Sequence, residues 1–110
     1  MSTSIPEPDW KYLRSIQSML LSDLCRKINV SSAEILASQR LSEHEKYLQL
    51  FKHVQESDIL VAECFDDWRR SNLWIKLVKI CKHKLLSEEH LGNLSEESRA
   101  RLQLLFPTAK

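Results

Sequence analysis

With one glycine and three prolines in 110 residues, the chain lacks the punctuation that hairpins and tight phosphate-binding turns require. Neither G-x-G-x-x-G nor G-x-x-x-x-G-K-[ST] can be written with one glycine, which excludes nucleotide sites of those two types and argues against a β-sandwich. The 43% apolar and 28% charged fractions are those of a folded globular domain. The expectation is therefore a single all-α domain, a compact bundle of five to six helices with mostly antiparallel neighbours.

Residues 1–8 read as an extended, proline-containing lead. Leu13, Ile16, Leu20, Leu24 and Ile28 then recur at three- and four-residue steps, predicting a helix over 10–28 with one buried face. Met19, Leu21 and Cys25 widen that stripe. Asn29-Val30-Ser31 is expected to interrupt it, with Ser31 and Glu34 forming a capping box for a short helix to about Arg40.

A second box, Ser42 with Glu45, opens a helix over 43–56 whose apolar stripe is Tyr47, Leu50, Phe51 and Val54. Ser57-Asp58 reads as the next start, leading into Leu60, Val61, Cys64, Phe65 and Trp68 over 58–70. Ser71-Asn72 favour a cap and predict a break. Beyond it Trp74, Leu77, Val78, Cys81 and Leu85 line one face of a helix over 73–86. The pieces at 10–28, 43–56, 58–70 and 73–86 are expected to form the core.

Ser87 opens a single turn ending at Gly92, the position where a left-handed C′ residue is expected. Ser95 opens the last helix, which Pro107 should stop before a short tail at 107–110. Leu-Ser-Glu-Glu occurs at 86–89 and again at 94–97, read as one cap chemistry used twice.

The net charge of +1 conceals an uneven distribution: −4 over residues 1–68, +6 over 69–86 and −1 over 87–110. The central block holds Arg69, Arg70, Lys76, Lys79, Lys82 and Lys84 with no acid. On a helix, Lys76, Lys79 and His83 fall opposite the apolar face, a strip suited to nucleic-acid phosphates or an acidic protein surface. The competing reading is a solvated face answered by Glu56, Asp58, Glu63, Asp66 and Asp67 just upstream. Asp66 stands three and four residues before Arg69 and Arg70, at helical ion-pair spacing. A helix-turn-helix reader at 85–105 would present Glu96 and Glu97 to phosphates, and electrostatics oppose it.

Trp68 and Trp74 read as core, whereas Trp10, beside the proline lead, is a candidate interface anchor. His44, His53, His83 and His90 with Cys25, Cys64 and Cys81 make no zinc-type pair of pairs, and no catalytic set converges in the pattern. An odd cysteine count without C-x-x-C fits reduced thiols, hence a cytoplasmic protein. The longest apolar run, residues 59–62, is far too short for a membrane span, and no membrane partner is expected.

The function expected is a non-enzymatic protein-interaction module without cofactor or metal, binding another protein or a second copy of itself. Its interaction candidates are Trp10, Arg69, Arg70, Lys76, Lys79, Lys82 and Lys84. Nucleic-acid binding by the 69–86 strip is the alternative, and a small metal-dependent enzyme the remote one.

Overall fold

The computed structural model describes residues 4–106, and over these the chain is built of helices alone. Helix α1 spans Glu7–Ala37, α2 Glu43–Phe65, α3 Leu73–Lys82, α4 Glu88–Gly92 and α5 Glu96–Leu105. Helix α1 begins within the expected lead, because Pro6 is its N-cap and Pro8 lies in the first turn, where a missing N–H costs nothing. The stop at Pro107 and the 107–110 tail fall outside the described residues.

The two expected interruptions of the long helices do not occur. Helix α1 passes unbroken through Asn29-Val30-Ser31, so there is no separate helix to Arg40. Serine and asparagine inside a helix cost only tenths of a kcal/mol each, about an order less than proline. Partners at this point also hold the turn: Ser32 Oγ donates to the Ile28 carbonyl (2.8 Å), and His53 Nε2 of α2 lies 3.2 Å from the same oxygen. Ser57-Asp58 likewise lie inside a continuous α2. Of the two expected capping boxes, Ser42 with Glu45 forms, each side chain taking the other's backbone N–H (3.1 and 2.8 Å).

A break does fall near Ser71-Asn72, but the chain leaves the helix earlier, at Asp66, and the link occupies 66–72. Asp67 adopts a left-handed φ of 57°. The amide of Asn72 ties the link together, accepting from the Arg69 N–H (2.8 Å) and donating to the Asp67 carbonyl (2.9 Å). The last carbonyls of α2 are satisfied from outside the helix as well. Trp68 Nε1 donates to Cys64 O (2.7 Å), and Lys76 Nζ to Glu63 O (3.0 Å).

The chain's one glycine does not carry a left-handed turn. Gly92 closes α4 without a positive φ, whereas Lys84 takes φ 58° after α3. The N–H of Leu85 reaches Ile80 O and that of Lys84 reaches Cys81 O (3.0 Å each), the paired bonds of a Schellman end. Helix α3 therefore stops at Lys82 rather than 86. A lysine in this conformation bears a steric cost of about 1 kcal/mol that glycine would not. Lys84→Gly is expected to stabilise by about 1 kcal/mol in urea unfolding. Nothing lies within 4 Å of a Cβ placed on Gly92, so Gly92→Ala should be neutral or stabilising by about 0.5 kcal/mol.

The core sits at one end of the molecule. One cluster joins Ile5, Leu13, Leu73, Trp74, Leu77, Leu94 and Leu102, and the second joins Leu20, Leu24, Cys64, Phe65 and Ile80. Half-buried Trp68 and Ile16 pack on both. Between residues 25 and 63 no side chain is fully buried. There α1 and α2 form an antiparallel hairpin, joined through 38–42, that extends away from the core. The radius of gyration, 16.9 Å, exceeds the roughly 13 Å of a compact chain this long, and the extents are 54 × 34 × 22 Å. The expected compact bundle is thus found only at the end built by the first half of α1, the C-terminal end of α2, and α3 to α5. Among the described residues no helix is long and apolar enough to cross a membrane.

The buried end is fastened by a carboxylate. Asp9, 1% exposed, accepts from the Ser95 N–H (2.7 Å), Ser95 Oγ (2.7 Å) and Ser98 Oγ (2.5 Å). The Ser95 hydroxyl in turn accepts from the Ser98 N–H (3.2 Å), so the N-cap of α5 is also its bond to α1. The twin Leu-Ser-Glu-Glu segments do perform the same local task, since Ser87 caps α4 by accepting from the His90 N–H (3.1 Å). Only the second of them meets Asp9.

Candidate functional site

The basic block does not form one strip. Arg69 pairs with Asp67 (3.1 Å), and the expected pairs of Asp66 with Arg69 and Arg70 are absent, because 66–72 is not helical. Arg70 Nε donates to the carbonyl of Ile5 (2.9 Å), a residue 1% exposed. Lys76 is engaged at the end of α2, and Lys79 lies 3.8 Å from Glu63. Lys82 and Lys84 are exposed at the end of α3, beside His83. Of the six cations, four are thus committed to contacts within the chain, two of them with acids upstream.

Trp10 is half-buried, and the Arg14 guanidinium lies 5.4 Å from its ring centroid. It lines an open groove of about 570 Å³ with Glu7, Lys11, Arg14, Ser15 and Arg70. The structure therefore brings Trp10 and Arg70 to one groove, which Lys76, Lys79, Lys82 and Lys84 do not line. Trp74 is core, as expected, with Arg101 stacked 4.3 Å from its ring. Trp68 is half-buried and stacked on Phe65 (5.9 Å between centroids).

A more extensive surface lies on α2. Tyr47, Phe51 and Val54 are 65%, 55% and 49% exposed, although their spacing reads as a core stripe. Their face of α2 has no covering helix, because α2 turns a neighbouring face, with Leu50, His53, Leu60 and Cys64, toward the rest of the molecule. Leu48 and Ile59 are also exposed. Periodicity identified these residues but could not say whether a partner for them lay within the chain.

The thiols and histidines have separate places. Burial pushes the Cys81 thiol up to about 11 and raises that of Cys64, so neither is a ready thiolate nucleophile at neutral pH. His90 Nδ1 accepts from the Ser87 N–H (3.1 Å), and His44 stacks on Tyr47 (6.5 Å). Among the described residues no three His, Cys, Asp or Glu side chains are grouped to hold a metal ion. Comparisons with protein-family models, curated proteins and solved structures find no match to this chain.

Proposed function

We propose that this protein is a non-enzymatic helical interaction module that binds an amphipathic helix of another protein along the open face of α2. The observation that carries this reading is the exposure of Tyr47, Phe51 and Val54, three large apolar side chains at i, i+4 and i+7 on one face of α2. Helix-in-groove recognition uses anchors at this spacing. Exposed apolar side chains grouped on one face are what distinguishes an interaction surface from scattered surface residues. From Tyr47 to Val54 the helix rises about 10 Å, room for about two turns of a partner helix.

Charge selects the partner's flanks. Residues 43–58 hold Glu43, Glu45, Glu56 and Asp58 against Lys46 and Lys52, so a partner helix with basic flanking residues is favoured. Nucleic-acid binding by the 69–86 block draws less support, since Arg69 and Lys79 pair with acids and Lys76 is bonded at the end of α2.

The double substitution Tyr47→Glu/Phe51→Glu tests the reading. Helix content should be unchanged, since both side chains are exposed, while partner capture is lost. Light scattering over a range of concentrations identifies the case in which the partner is a second copy: mass rises with concentration in the native chain and stays monomeric in the variant. Retention of the complex by a folded double variant would remove the α2 face as the binding surface.

A further inference from the structure

The groove at Trp10 combines features that point to a ligand and that the α2 reading does not use. Its six lining residues include three cations and one carboxylate. Glu7 and Lys11 pair with each other (3.2 Å), which leaves Arg14 and Arg70 as the uncompensated charges. Neither of these arginines meets a carboxylate among the described residues. They come from opposite parts of the sequence, so the fold rather than a local run of basic residues brings them together.

Arg70 is restrained without a charged partner, and Arg14 is exposed beside Trp10. Arg70 is tethered through Nε to the carbonyl of Ile5, itself fixed in the core, and its two terminal nitrogens are not needed for that bond. Arg14 rests on the ring of Trp10. The tether on Arg70 lowers the entropy lost when that side chain clamps a ligand. The groove measures about 570 Å³ and is open to solvent, and the indole lines it beside the charges.

We infer that this groove binds a phosphate monoester carried on a flat ring. Two arginine forks match the oxygens and the charge of roughly −2 of a phosphate monoester, which a carboxylate would only half satisfy. Trp10, which lines the same groove, gives the ring an apolar side chain to pack beside. An aryl phosphate side chain and a mononucleotide share this chemistry.

The experiment is a titration of the full chain, followed by the indole resonance of Trp10, with phenyl phosphate, adenosine monophosphate and inorganic phosphate. At least one ring-bearing phosphate should bind at least tenfold more tightly than inorganic phosphate. Preference for phenyl phosphate assigns an aryl phosphate source, and preference for adenosine monophosphate a nucleotide source. Arg14→Ala should weaken binding roughly tenfold or more, and so should Arg70→Ala. Because Arg70 also secures Ile5, Arg14→Lys is the variant that leaves the fold untouched: it keeps the charge, loses the fork, and should still weaken binding severalfold. Lys82→Ala is the control and should change nothing. Equal affinity for all three probes, no Trp10 shift with any of them, or full binding by Arg14→Ala overturns the proposal. This outcome is independent of the α2 face, whose double variant should bind the phosphate normally.

Discussion

Replacing Asp9 with alanine lowers the stability of the fold by about 3 kcal/mol, the expected effect of removing a buried charged acceptor that serves three donors. For a domain of this size that corresponds to a fall in Tm on the order of 15 °C. The effect is large because the loss is not confined to one bond. The buried hydroxyl of Ser98 and the N–H of Ser95 are left without their acceptor, and the N-terminal end of α5 is released from α1. The double substitution Asp9→Ala/Ser98→Ala separates the two contributions. It should cost less than the sum of the single changes, because the second removes a group the first had orphaned. Strict additivity in thermal or urea unfolding would mean that the carboxylate and the hydroxyl do not act as one unit.

A second large contrast compares two side chains that sequence periodicity treats alike. Leu77, fully buried at the centre of α3, should cost about 2–5 kcal/mol when cut to alanine, through lost burial and the cavity left behind. Phe51, 55% exposed, should cost less than about 1 kcal/mol. Urea unfolding of the two variants at low protein concentration checks the difference. If Phe51→Ala proved as costly as Leu77→Ala, the α2 face would be covered in the free protein. Hydrogen exchange should agree with the unfolding data. Amides of α3 and the adjoining end of α1 should be the slowest, and those of 29–55 should exchange through smaller local openings, since no fully buried side chain secures that part of the hairpin.

The same distribution of burial explains how interaction and stability can be divided along one helix. The C-terminal end of α2 places Cys64 and Phe65 in the core, while its first three turns leave Tyr47, Phe51 and Val54 outside. Changing the exposed set therefore leaves the core intact, and this is the condition under which a binding surface can be altered without unfolding the chain.

Much of the architecture was legible in the residues alone. The scarcity of glycine and proline, the apolar spacing and the serine caps at 42, 87 and 95 specify helices and several of their starts, because these are properties of the backbone within one or two turns. Ser31 and Ser57 carried the same signal and were overridden. A cap residue only permits a helix to begin, and a neighbouring helix that supplies packing and hydrogen bonds makes continuation cheaper than interruption. Gly92 and Lys84 show the reverse failure of local reasoning: the left-handed turn fell where the end of α3 needed it, on a lysine, and the available glycine stayed helical.

Tertiary structure alone decided the rest. It determined that Asp9 would meet Ser95 and Ser98 across most of the chain's length, that Arg14 and Arg70 would share a groove while Arg69, Lys76 and Lys79 were drawn into ion pairs and a helix end, and that the stripe of Tyr47, Phe51 and Val54 would have no cover. The physical reason is the same in each case. A sequence records which side chains can be buried or paired through their local spacing, but whether they are depends on long-range partners, and local spacing carries no information about those.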